Sequence, residues 1–251
     1  MNFFKDDNPG FYEETSFLKA DAIVKWKKEK KVYNFDQLPK TAIVVMNPKF
    51  IRVFSKPFGK SLKGIPGSGC FLTPSLLLCA SQGSGSPGVL LLIEELRVLG
   101  VENIIFIGTA GIISPEVTEQ QAFATSKSYS TVGSSFFYVK DSALEPINSS
   151  WFKNIRDHLK LPECVSWSTD CPYRETPSLI AHFRTLKAQL VDMESAAVYA
   201  FCNFHKLNSV CLLIAADTLL QNVWTPPQRP DLLFKRQKKL IARLTTFSTL
   251  S

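Results

Sequence analysis

Histidine is scarce in this chain, with three in 251 residues, and the six cysteines (Cys70, Cys79, Cys164, Cys171, Cys202, Cys211) form no CxxC pair. With no histidine at zinc-ligand spacing either, the sequence offers no metal site and no redox motif, and neither metal nor cofactor is expected. Four of the cysteines lie in or beside apolar runs, where a free thiol packs as a small hydrophobe, so a reducing, cytoplasmic setting is the expectation. No apolar run approaches the ~20 residues of a membrane span, and Met1-Asn2-Phe3-Phe4-Lys5-Asp6-Asp7 breaks into acids before a signal-peptide core develops. A soluble, unexported protein is expected, without membrane partners. Low-complexity segments are missing as well, and 45% apolar with 20% charged residues is an ordinary globular composition. The length suits one large α/β domain.

What the chain has in excess is positive charge, a net +7. It gathers in Lys25-Trp26-Lys27-Lys28-Glu29-Lys30-Lys31 and Lys235-Arg236-Gln237-Lys238-Lys239. Such runs suit nucleic acid, acidic lipid or plain solvated helix faces. Neither has the interleaved aromatics of a single-strand binder, which favours the solvated faces and speaks against a nucleic-acid partner.

Along the chain, residues 1–40 mix charge with isolated aromatics and read as an arm or short helix packed on the body, the domain proper being 41–251. Thr41-Ala42-Ile43-Val44-Val45-Met46 is a short, continuously apolar, β-branched run, as in strands buried on both faces. Gly64, Gly67 and Gly69 mark a hairpin or loop leading into a second such strand, Leu76–Ala80. The stretch Ser81-Gln82-Gly83-Ser84-Gly85-Ser86-Pro87-Gly88 follows; it fits close approach to a ligand or a tight strand-to-helix turn. Val89 to Leu99 carries apolar residues at helical spacing and stops at Gly100. Ile104–Ile107 predicts a buried strand ending in the glycine-bearing turn Gly108-Thr109-Ala110-Gly111. Strand, glycine turn, helix, strand is the grammar of a mostly parallel sheet whose ligands sit beyond the strands' carboxyl ends. Further on, residues 121–145, with the alternation Phe136-Phe137-Tyr138-Val139, predict a strand and Trp151–Leu161 a helix. Trp167–Thr176, too polar and proline-broken for a regular element, is a pocket-loop candidate. A helix is expected from about Asp192 to His205, a strand over Val210–Ala216 with Asp217 at its end, and a basic helix from Asp231 to Leu250.

Two acidic features stand out. Val191-Asp192-Met193-Glu194 joins acids to the start of a helix-like run, and Asp217 ends an apolar strand, which places carboxylates on an otherwise apolar wall. Taken singly, Asp192 and Glu194 also suit a helix N-terminus and Asp217 a turn cap.

The ordered set Gly83-Ser84-Gly85-Ser86-Pro87, Glu95-Leu96, Gly100, Gly108-Thr109-Ala110-Gly111-Ile112, Thr169–Thr176, Val191–Glu194 and Ala216-Asp217 resembles the nucleoside phosphorylase superfamily of the purine and uridine phosphorylase type. The Trp167–Thr176 segment is nearest the uridine phosphorylase pattern. The resemblance covers about residues 40–225. It implies a single α/β domain with a central mixed, mostly parallel sheet flanked by helices. It also implies a homo-oligomer (dimer or trimer of dimers) that cleaves the N-glycosidic bond of a nucleoside, with phosphate as co-substrate. By motif position, Glu194 would bond the ribose hydroxyls, Met193 pack on the sugar, Asp217 protonate the departing base, and Tyr173 with Arg174 hold the base. Gly83, Thr109 and Gly111 would complete the substrate-binding set. The chemistry agrees: the broken bond leaves oxocarbenium character on the sugar and negative charge on the base, so an acceptor is needed at the hydroxyls and an acid at the base.

The attacking side departs from the pattern. The family's Gly-Asp-Pro-x-Arg segment reads Met46-Asn47-Pro48-Lys49-Phe50 here, and Phe106 stands where an arginine precedes the Gly-Thr pair. Charge-assisted bonds worth ~1.5–3 kcal/mol each are thereby missing for phosphate. No acid between Thr41 and Phe58 replaces the glutamate with which hydrolases of the family activate water, and Ala216 stands where a serine usually precedes the aspartate. Phosphorolysis, hydrolysis, non-catalytic nucleoside binding and nucleic-acid binding through the lysine runs are thus the readings carried forward, in that order.

Overall fold

The computed structural model describes residue 12, residues 14–58 and residues 61–247. The start of the expected arm and the last residues of the expected C-terminal helix lie outside that range. In chain order the elements are α1 (Ala20–Glu29), β1 (Thr41–Val45), α2 (Lys49–Phe58), β2 (Ser61–Leu62), β3 (Ser68–Thr73), β4 (Leu76–Ala80), α3 (Ser86–Val98), β5 (Asn103–Ile112), β6 (Ala122–Thr131), β7 (Ala143–Leu144), α4 (Ser149–Leu159), β8 (Glu163–Thr169), α5 (Pro177–Thr185), β9 (Leu190–Asp192), α6 (Ser195–His205), β10 (Asn208–Thr218) and α7 (Pro230–Leu244).

The continuous apolar runs are strands covered on both sides. Along β1, β4 and β5 the residues Ala42, Val44, Leu77, Cys79, Ile104 and Phe106 join a core with α3 and α6. Their neighbours Ile43, Val45, Leu78, Ala80, Ile105 and Ile107 join a second core with α2, α4 and α7. A two-residue side-chain period therefore fills two cores at once, and no polar position is left in the run. The helix α1 is tied to this body by Lys27, whose Nζ donates to both Glu95 carboxylate oxygens at 2.7 Å and to the Gly64 carbonyl at 2.8 Å.

The sheet is mixed. Parallel pairings link β1 to β4 and β5, β5 to β10, and β8 to β6 and β9; the others are antiparallel. One edge of β5 pairs with β10. The other pairs with β1 as far as Ile107 and with β9 from Gly111. Because β10 continues through β6 and β8 to β9, five strands close on themselves while β1, β4, β3 and β2 spread as an open sheet. Between the end of β1 and the start of β9, Gly108, Thr109 and Ala110 have no strand on that edge among the described residues. Such a gap at a switch in strand order is where α/β sheets place ligands.

Four expectations need correction. Gly108–Gly111 is not a turn but the second half of β5. Within 121–145 the strand is β6, Ala122–Thr131, with the short β7 at Ala143–Leu144, but the alternating Phe136–Val139 is not part of it: Gly133–Phe137 is a 3-10 turn, in which the Ser135 hydroxyl donates to the Val132 carbonyl at 2.8 Å and Val132 N–H to Ser130 Oγ at 3.1 Å. Short hydroxyl side chains there satisfy backbone groups that a ladder would need. The helix expected from Asp192 begins at Ser195, and Asp192 ends β9, its carboxylate accepting the Ser195 N–H at 3.0 Å. Trp167–Thr169 belongs to β8 rather than to a loop; Trp167 is buried, stacked on Phe183 with 4.3 Å between centroids, and its indole N–H donates to Thr131 Oγ1 at 2.8 Å.

Candidate active site

The gap beside β5 opens into a cleft of about 840 Å³. Met46 and Asn47 from the end of β1, Gly108–Gly111 from β5, Asp192–Glu194 from the β9–α6 junction and Asp217 from the end of β10 converge on it. Pro172, Tyr173 and Glu175 close one side, and Trp224 with Leu233, Phe234 and Gln237 of α7 close another.

Glu194 is the most firmly held of these groups. It is 6% exposed, and its Oε1 accepts the Gly85 N–H at 2.6 Å. Gly85 sits at φ 92°, in the region open to glycine, directly before α3; that geometry turns its amide toward the carboxylate. A second tie fixes the same junction, the Ser86 hydroxyl donating to the Met193 carbonyl at 2.6 Å. Burial, reinforced by the neighbouring Asp192 charge, raises the Glu194 carboxyl to about 7. Asp192 is buried too and is also shifted upward by burial, against the pull of hydrogen bonds from Ser168 and Ser195. The Ser168 hydroxyl accepts the Ala196 N–H at 3.0 Å, so this network also satisfies the first turn of α6.

Asp217 is half-buried, and its Oδ2 accepts the indole N–H of Trp224 at 2.8 Å. Gly111 lies beside it: a Cβ there would be in ordinary contact with Asp217 Oδ2 at 3.6 Å, but only 2.7 Å from Leu219 Cδ1 and 3.1 Å from Val191 Cγ1. Glu175 shares this end of the cleft, and burial, then the Asp217 charge, lifts it to about 7.

The structure thus brings Glu194, Met193, Thr109, Gly111 and Asp217 around one cavity, with Tyr173 fully exposed at its rim. Arg174 and Gly83 are exposed and do not line it; the glycine loop reaches the cleft through Ser84 and Gly85 instead. Sequence reasoning assigned no role to Glu175, Trp224, Asn47 or Gln237. Glu175 lay inside the quoted Thr169–Thr176 motif, where the adjacent arginine drew the assignment, while Trp224 comes from an irregular segment without periodicity.

The cleft has a one-sided charge. Four carboxyl groups line it (Glu175, Asp192, Glu194, Asp217), and no lysine, arginine or histidine does among the described residues. Lys49 and Arg52 are exposed on α2, away from it. Phe50 is buried and stacked on Phe234 at 4.3 Å, with 9° between ring planes. Phe106 is buried on the opposite face of the sheet, its ring 2.8 Å from where a Gly108 Cβ would be. Among the described residues, no group of three or more His, Cys, Asp or Glu is placed to hold a metal ion, and no helix is long and apolar enough to cross a membrane.

Residues 40–245 match the family described as the phosphorylase superfamily. The chain is similar to a uridine phosphorylase of Thermococcus kodakarensis, 25% identical over 154 residues, which cover 53% of this chain and 54% of that protein. It is likewise similar to an uncharacterized protein of Acanthamoeba polyphaga mimivirus, 25% identical over 135 residues, 54% of each chain. The matches span about half the length of these relatives. With the family match running across most of the chain and across every element that builds the cleft, the protein belongs to the phosphorylase superfamily.

Proposed function

We propose that the protein cleaves the N-glycosidic bond of a nucleoside, transferring the pentosyl group to phosphate. The observation that carries this reading is the convergence on one cleft of Glu194, held by the Gly85 N–H, and the carboxyl pair Asp217 and Glu175. Bond cleavage makes the sugar cationic, and a site lined by carboxylates, with no cation among the described residues, stabilises that charge as it develops. The departing base gathers electrons and needs a proton, for which an acid near neutrality is suited.

A second reading concerns only the attacking group. Thr109, Asn47 and Ser84 offer neutral donors in the cleft, but no cation among the described residues lines it, which favours water over a phosphate anion unless cations come from another chain. A homo-oligomer, implied by the family resemblance, would be the source.

A panel of nucleosides incubated with and without phosphate, followed by detection of free base, tests both points. Release that requires phosphate supports pentosyl transfer, and release without it supports hydrolysis. Nucleoside binding by calorimetry without release from any nucleoside would overturn the enzymatic reading in favour of a binding protein.

A further inference from the structure

We propose that Glu175 is the acid that hands a proton to the departing base, and that Asp217, bonded to the indole N–H of Trp224, is the partner carboxyl beside it. This rests on reading the cleft as one that cleaves nucleosides, and it assigns the proton to a different residue from the one the motif pattern selects.

The geometry gives the two carboxyls unlike surroundings. Asp217 stands at the end of β10 with Oδ2 accepting the Trp224 indole N–H at 2.8 Å. Glu175 follows the Pro172–Arg174 turn, lines the same cavity and is half-buried, with no side-chain donor bonded to it among the described residues. Of the two carboxyls at this end of the cleft, Glu175 is thus the one whose oxygens no protein donor occupies, and a carboxyl buried beside a second one without a donor favours its protonated form. The causes of the Glu175 shift to about 7, burial first and the Asp217 charge second, agree with that division. The other titratable groups that line the cleft are Asp192 and Glu194 from the β9–α6 junction and Tyr173 on its own turn; Arg174 is exposed and does not line it.

The step balances. As the C1′–N bond breaks, its electron pair passes to the base, and the Glu175 proton moves to a ring nitrogen or oxygen of that base. The sugar carbon bonds to the attacking oxygen, whose proton, directly or through solvent, restores Glu175. Asp217 acts as an acceptor toward a donor on the base edge.

The test combines titration with kinetics on the intact protein. With ¹³C-labelled carboxyl groups, the Glu175 signal, assigned by its loss in Glu175→Gln, is expected to titrate near neutrality and to move down toward the ordinary glutamate range in Asp217→Asn. In base-release assays, the wild-type rate should fall as pH rises through about 7. Glu175→Gln should remove that limb and lower kcat at least tenfold with KM changed less than threefold. Trp224→Phe, which removes the donor to Asp217, should shift the limb without abolishing turnover. A Glu175 carboxyl titrating in the ordinary range, or a Glu175→Gln variant with full rate and an unchanged limb, overturns the assignment. A wild type that releases no base overturns both this role and the cleavage reading; wild-type release that continues at full rate in Glu175→Gln overturns this role alone.

Discussion

Replacing Glu194 by glutamine separates what this carboxyl does for folding from what it does in the cleft. The folded protein raises it from its ordinary 4.5 to about 7 while leaving it 6% exposed. A raised value means that the folded state holds a proton the unfolded chain has already released. Its contribution to stability is therefore fully present below about 4.5 and is lost as pH rises through about 7. At about 1.4 kcal/mol per unit, the full loss is about 3 kcal/mol, an upper figure because water entry and local relaxation reduce it. Glutamine keeps an oxygen for the Gly85 N–H, carries no charge and relieves Asp192 of a like-charged neighbour. Urea denaturation at pH 5 and pH 8.5 should find the variant close to wild type at the lower pH and about 1–3 kcal/mol more stable at the higher one. Base release should move the other way, kcat/KM falling about 10–100-fold as a hydrogen bond to a charged acceptor is weakened. An identical stability difference at both pH values, or a variant less stable at pH 8.5, would refute the reasoning, because the effect must grow across the interval in which the wild-type carboxyl ionises.

Two further substitutions probe the cleft floor. Gly111→Ala brings a Cβ to 2.7 Å from Leu219 Cδ1 and 3.1 Å from Val191 Cγ1, so Leu219 must move and Asp217 with it; a loss of about 1–3 kcal/mol in a melt and at least a tenfold fall in base release are expected. Phe106→Arg puts a guanidinium at a fully buried position in an apolar core and should cost about 3–5 kcal/mol in urea denaturation, without creating phosphate dependence.

The fold class was legible because β1, β4 and β10 are continuous apolar runs, and a run with no polar break needs cover on both faces, which only helices on two sides supply here. The length of β5 was not. Glycines punctuate turns, yet Gly108 and Gly111 lie within a strand, where the Phe106 ring, Leu219 and Val191 come close to where a side chain would begin. At Phe136–Val139, alternation suggested a strand, but Tyr138 packs edge-on against Phe201 and Phe204 of α6, a contact invisible to local pattern. The residues that reach the cleft from ordered motifs, Glu194 and Asp217 among them, could be found from spacing. Glu175 and Trp224 could not, because their meaning depends on which side of an irregular turn faces inward.

Charge then orders the parts of the site. The chain carries a net +7, yet its cleft holds four carboxyls and no cation among the described residues. The positive excess therefore lies outside the cleft, on faces such as those of α1 and α7. The two positions where the family pattern has arginines are filled independently, Phe50 by stacking under α7 on one face of the sheet and Phe106 within the α3–α6 core on the other. A single reversal at either position would meet packing rather than an open anion pocket. The Glu194 and Asp217 carboxyls, in contrast, are held by backbone and indole donors. In the proposed reaction such a cavity would stabilise a positive charge forming on the sugar and repel an anionic nucleophile, so the same four carboxyls would make phosphate entry depend on cations beyond the described residues of this chain.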